Sequence, residues 1–254
     1  LDPMATGVLP LVVGRATRLS QFYTKADKVY DATVRFGFST STYDAEGEPT
    51  SPGTDPEVDR DKLVELLRQF EGEIDHLPPA VSAKKIGGVP AYKLARQNVA
   101  VELTPVRVTV YGVEILGCEG SEARLRVSCS GGTYVRTIAH DLGQLYGCGA
   151  HLSSLRRLLS GEFRIEQAKT LEELALMAEE NRLEEALIPA AQLLPQIPNE
   201  FVDELTEGRI RQGRDFRLSP FRVANGARHV KAVNAAGDLI AIGEATLPNV
   251  YHPV

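Results

Sequence analysis

The chain has 254 residues, 28 Lys and Arg against 34 Asp and Glu, a formal net charge of −6 and 43% hydrophobic residues. That length buries a real core, as one large domain or as a medium and a small one, and the composition excludes a disordered chain. No apolar run approaches the roughly 20 residues of a membrane-spanning helix, and the acidic total taken alone counts against a nucleic-acid partner.

The first fourteen residues, LDPMATGVLPLVVG, set Asp2, two prolines and two glycines around an apolar run. Pro3 keeps Asp2 out of the helical region, so its carboxylate sits on a turn at the mouth of the apolar segment 8–13. A turn Asp bonding its own backbone and a nucleophile or general acid–base are both open readings of that position. Residues 28–38 alternate as a strand, with Tyr30, Ala32, Val34, Phe36 and Phe38 on one face and Asp31, Thr33 and Arg35 on the other. Tyr30 opens that face; it is core, or it caps a pocket and stacks on a flat ligand.

Residues 39–61 read as a long loop, and Leu63, Leu66, Leu67 and Phe70 predict an amphipathic helix over 62–70, stopped by Gly72. Residues 78–90 are loop-like, and a short helix follows near 91–97. Residues 106–116 and 122–130 predict an antiparallel pair. Gly131 and Gly132 then break the strand, and a helix begins near Tyr134, with Val135, Ile138, Leu142 and Leu145 as its buried stripe and Gly147 as its end. Arg136 falls in the first turn of that helix, where the dipole disfavours a cation, which predicts a specific anionic partner. In HLSSLRRL (151–158) the paired Arg156 and Arg157 suit phosphates, with an exposed surface as the plainer reading. A helix is predicted over 171–180, a linker over 187–198, and a small β domain beyond it with strands near 229–234 and 239–245.

Charge is unevenly spread. Residues 44–61 hold seven acids and one base, and 171–185 hold six acids and one base; without these stretches, at −6 and −5, the rest of the chain is +5. The interval 76–101 carries Lys84, Lys85, Lys93 and Arg96 and no acid. Solvated surface and a basic face turned toward a polyanion are both compatible with that pattern. Cys118, Cys129 and Cys148 show no CxxC spacing, which argues against a disulfide framework or zinc site and fits a reducing cytoplasm. Hairpin-paired strands with inserted helices indicate an α+β fold, and no phosphate-binding glycine motif supports a nucleotide cofactor.

In this order, LDPMATGVLPLVVGRATRLSQF, DKVYDATVRFG, GGTYVRTIAHDLG and GAHLSSLRRL resemble the bacterial tRNA pseudouridine synthases of the TruB type, along nearly the whole chain. The resemblance implies an isomerase that converts the uridine at position 55 of the tRNA T-loop to pseudouridine without cofactor or metal. It implies Asp2 as nucleophile, Tyr30 stacking on the target base, Arg136 pairing with Asp2, and Tyr134 and Leu155 as walls of the uracil pocket. The interval 76–101 matches a segment that closes over the T-loop, with Lys84, Lys85, Arg156 and Arg157 as candidate phosphate contacts. The implied organisation is a catalytic domain over 1–194, with a mixed, mainly antiparallel sheet flanked by helices, and a PUA-like β pseudo-barrel over 195–254 that binds RNA. In the family a first strand and a GHxGT segment precede the LDP motif, and the sequence in hand opens inside that motif. A cytoplasmic monomer needing no protein partner is expected. Two other readings are a non-catalytic RNA-binding or RNA-folding protein of the same fold and a guide-RNA-dependent relative. Asp2, Tyr30 and Arg136 together favour the enzyme, and the 76–101 insertion favours the stand-alone type.

Overall fold

The computed structural model describes residues 1–82, 85–97, 103–219 and 227–254. The chain divides into two compact units, Leu1–Ala168 and Lys169–Val254. In chain order the first unit contains β1 (Thr6–Gly7), α1 (Ser20–Tyr23), β2 (Lys28–Phe36), α2 (Arg60–Leu67) and β3 (Gly72–His76). It continues with β4 (Lys85–Ile86), β5 (Val89–Pro90), α3 (Ala91–Arg96), β6 (Val106–Glu119), β7 (Glu122–Cys129), α4 (Val135–Tyr146), β8 (Ala150–Ser160) and β9 (Phe163–Arg164).

Seven strands form one sheet in the order β1-β8-β2-β7-β6-β3, with β9 on β8; the β1–β8 pairing is parallel and the others are antiparallel. The alternation of β2 is the reason it sits in the middle. Tyr30, Ala32, Val34 and Phe36 are all buried, facing Leu125 and Val127 of β7 and Leu152 and Leu155 of β8. Each Val, Leu or Phe among them contributes about 1.5–3 kcal/mol by leaving water. α2 and α4 cover this face: Leu63, Leu67, Ile138, Ala139 and Leu142 join the same core. Asp59 caps α2 by accepting from the backbone N–H of Asp61 and Lys62. α4 ends at Gly147 in the left-handed region, as its glycine predicts. Its stripe is shorter than the sequence suggests, because Leu145 is exposed while Gly143 takes the packed position against Ala150.

Among the strands of five residues or more in the first unit, two carry no sequence expectation. β3 begins at Gly72 itself, the glycine read as a helix stop, and β8 pairs with β2 along almost its whole length. β8 lacks a clean alternation because Ser153 and Ser154 interrupt it and a buried arginine, Arg157, stands on its apolar face.

The second unit holds α5 (Leu171–Glu179), β10 (Asn199–Phe201), α6 (Glu204–Arg211), β11 (Phe216–Arg217), β12 (His229–Val233), β13 (Leu239–Leu247) and β14 (Val250–Pro253). α5 begins with a capping box between Thr170 and Glu173. The five strands form one sheet, β10-β12-β13-β14-β11, over a small core of Val202, Ile210, Phe216, Val230, Ala232 and Tyr251. The stretch 187–198, which the sequence suggests is a linker, belongs to this unit. Leu193, Leu194 and Ile197 are buried, and the Lys231 ammonium donates to the Ala191 and Leu193 carbonyls. The fold is α+β, with a mainly antiparallel sheet in the first unit and a small β module at the C-terminal end. No helix among the described residues is long and apolar enough to cross a membrane.

Candidate active site

The site forms where the N-terminal turn meets the start of α4. The Ala5 N–H donates to the Asp2 carbonyl at 3.0 Å, closing the turn that Pro3 begins. β1 then lies parallel to β8, Thr6 beside Arg156 and Gly7 beside Arg157. Gly7 has φ +102°, and a Cβ there would lie 2.2 Å from the Arg157 carbonyl oxygen, so only glycine lets the backbones approach this closely. That approach anchors the turn carrying Asp2.

Arg136 enters from the first turn of α4 and is 5% exposed. Its Nε lies 2.9 Å from Asp2 Oδ2, its Nη1 donates to Asp44 Oδ2 at 3.1 Å and to the Thr42 carbonyl at 3.2 Å, and its Nη2 donates to the Val81 carbonyl at 3.1 Å. The anion that the helix dipole calls for is therefore present twice, as Asp2 and Asp44.

The two carboxylates are not equivalent. Asp44 is buried, and its Oδ1 also accepts from the Thr42 hydroxyl at 2.5 Å and the Glu46 N–H at 3.1 Å. The Asp2 side chain is 22% exposed, against 3% for Asp44, and holds Arg136 by charge contact. Asp44 fixes the guanidinium, and Asp2 keeps an open side. Nothing in the sequence marks Asp44: it stands first in the acidic stretch 44–61 and there reads as solvated surface. The structure corrects that reading for this one residue. Thr40 and Thr42 and the pairing of the loop with Leu152 of β8 turn it inward.

α4 has no side-chain cap of its own, and His76 at the end of β3 supplies one. Its Nε2 accepts from the Tyr134 N–H at 3.0 Å, and the two rings lie parallel, 10° apart, with centroids 6.1 Å apart. Burial pulls the His76 pKa down to about 4, so the imidazole is neutral at neutral pH and free to accept. Two further bonds seat the chain after β3 on α4: Thr137 Oγ1 donates to the Leu77 carbonyl, and Arg136 reaches Val81.

Tyr30 lies in the middle of the sheet, opposite Val127 and Arg157. Burial raises its phenol above the ordinary value, Cys129 adds to that, the Arg157 guanidinium acts the other way, and the Asp2 charge pushes it up again. Tyr30 thus lies within electrostatic reach of both Asp2 and Arg157. Burial also raises the Cys129 thiol to about 11, which leaves it an inert packing group. Leu155 is buried on the same face, opposite Ala32, and Tyr134 is half-buried at the mouth of α4.

The paired arginines part company. Arg157 shares the face of Tyr30, is buried, and donates from Nε to the Val8 carbonyl at 2.8 Å, tying the N-terminal segment to β8. Arg156 points to the opposite, exposed face and donates to the Thr6 hydroxyl. Lys84 lies outside the described residues, and Lys85 lies in β4.

Residues 1–135 match the family model of the TruB family pseudouridylate synthase N-terminal domain, and residues 136–195 match that of the tRNA pseudouridylate synthase B C-terminal domain. A tRNA pseudouridine synthase B of Solibacter usitatus is 58% identical over 253 residues, covering 100% of this chain and 86% of that one. One of Dechloromonas aromatica is 41% identical over 244 residues, 96% of this chain and 79% of that one. Among solved structures, a Cbf5–Nop10–Gar1 complex contains a chain that superposes with a TM-score of 0.70 at 26% identity, covering 98% of this chain and 69% of that one. The chain belongs to the TruB family of pseudouridylate synthases, a family of isomerases.

Proposed function

We propose that this protein isomerises uridine 55 in the T-loop of tRNA to pseudouridine, with Asp2 as the nucleophile. The observation that carries the reading is the Asp2–Arg136–Asp44 arrangement beside Tyr30: one buried guanidinium held by a buried carboxylate, with a second carboxylate left partly open. The choice of tRNA rests on the curated relatives at 58% and 41% identity, which bear the name tRNA pseudouridine synthase B.

A uridine inside a folded loop has to leave its stack before its glycosidic bond can be reached. Tyr30 offers a face for the extruded base, and Leu155 and Tyr134 supply the walls. Asp2, facing the Arg136 guanidinium at 2.9 Å, attacks C6 of the uracil or C1′ of the ribose; elimination to a glycal with Asp2 as base is the third route. The N1–C1′ bond breaks, the uracil turns, C5 bonds to C1′, and the C5 proton leaves while N1 gains one. The sum is an isomerisation with no redox change. Lys84 and Lys85 on the 76–101 segment would hold phosphates and set position, and shape and stacking would select the loop. Residues 1–194 would form the catalytic domain and 195–254 a PUA-like RNA-binding module. Arg156, on the exposed face, remains a candidate phosphate contact; Arg157 serves as the staple between Val8 and β8.

The test is a T-arm hairpin carrying a single uridine at position 55, probed by carbodiimide adduct formation and primer extension. A stop one nucleotide 3′ of position 55 is expected. No adduct there, with conversion of another uridine in the whole tRNA, would overturn the position.

A further inference from the structure

The segment that clamps Arg136 has a second point of attachment on α4. Thr42 and Asp44 converge on the same Nη1, one through its carbonyl and one through its carboxylate, because Tyr43 between them takes the left-handed conformation, φ +66°. That region is uncommon for a residue other than glycine and calls for a compensating contact. His140 supplies that contact. The Tyr43 ring stacks on the His140 ring with centroids 3.9 Å apart and planes 15° apart. His140 stands four residues after Arg136, so α4 presents both on one face, one turn apart. The loop lies across that face, with 42 and 44 on Arg136 and 43 on His140. Among the described residues His140 Nδ1 is buried without a hydrogen-bond partner, so the Tyr43 face rather than a bond at Nδ1 holds that side of the ring.

We propose that His140 is a positioning residue for the isomerisation, acting through the Tyr43 stack to keep Asp44 and the Thr42 carbonyl on Arg136, and so to hold Arg136 against Asp2. This rests on the reading of Asp2 and Arg136 as catalytic machinery. His140 touches neither the substrate nor the reacting atoms, and its work depends on ring shape rather than on proton transfer.

The experiment is single-turnover conversion of a T-arm hairpin, with RNA affinity measured alongside, at a temperature where every variant is folded. His140→Ala should lower the rate about three- to tenfold, the range a stacked aromatic pair is worth, with affinity within about twofold. His140→Phe should restore the rate to within about twofold. Tyr43→Leu probes the same stack from the other side, and the double variant His140→Ala/Tyr43→Leu should be no slower than the slower single. A parental rate for His140→Ala, a His140→Phe as slow as His140→Ala, or additive losses in the double variant would overturn the proposal. Asp2→Asn, run in parallel, separates the two claims. If it turns over at the parental rate the underlying reading falls; if it is inactive while His140→Ala is unimpaired, only this inference falls.

Discussion

Arg136 Nε lies 2.9 Å from Asp2 Oδ2, yet its N–H is not directed along that line, and the atom has no hydrogen-bond partner among the described residues. The other side of the guanidinium is fixed by three hydrogen bonds, from Nη1 to Asp44 and Thr42 and from Nη2 to Val81. Asp2 is thus held by charge without being locked by geometry, which suits a carboxylate that has to reach a substrate carbon.

Asp44→Asn should cost about 1.5–3 kcal/mol of stability, since it removes the charge from a buried, charge-assisted bond while keeping the shape. Urea unfolding measures this, and an unchanged midpoint would mean that Asp2 and the carbonyls alone satisfy Arg136.

Gly7→Ala should slow the reaction about a hundredfold or more. The added methyl meets the Arg157 backbone, the β1–β8 pairing has to open, and the turn carrying Asp2 shifts. Steady-state kinetics on the folded variant checks this, and a loss below threefold would show that β1 does not position Asp2.

His76 makes stability depend on pH. Its folded pKa, about 4, lies below the ordinary 6.5, so between these values the unfolded chain takes up a proton that the folded one refuses. Its contribution is intact above pH 6.5 and is lost as the pH falls toward 4, by up to about 3 kcal/mol. His76→Gln keeps an acceptor for the Tyr134 N–H and removes the titration. Its stability should therefore fall less than the parent's between pH 7 and 4.5 in urea unfolding; parallel curves would contradict the assignment.

Lys84→Ala/Lys85→Ala should weaken tRNA binding and flatten its dependence on log salt by about one to two units. An unchanged slope, read from binding isotherms at several salt concentrations, would mean that this segment does not touch phosphate.

Much of the site is legible in the sequence because its physics is local. Tyr30 opens an alternating face, Arg136 stands where a helix dipole resists it, and Asp2 precedes a proline at a turn. β8 is not legible, because an arginine on its apolar face and serines on both faces hide the period of two, and Arg157 is buried by a contact with Val8 far away in sequence. Asp44 and His76 are not legible for the same reason: one is an acid among acids and the other a lone histidine, and each acquires its meaning only when α4 packs against it. The net charge misleads in the opposite way. A total of −6 hides a basic remainder, and at least one of the acids behind the total, Asp44, is buried inside the site.

The central claim, that Asp2 attacks the substrate, is tested most directly by tritium release from tRNA labelled at C5 of uridine, comparing the parent with Asp2→Asn. The parent should release tritium stoichiometrically with position 55, and the Asn variant should release none above background while binding the RNA within about twofold of the parent. Release by Asp2→Asn at near the parental rate would contradict the account.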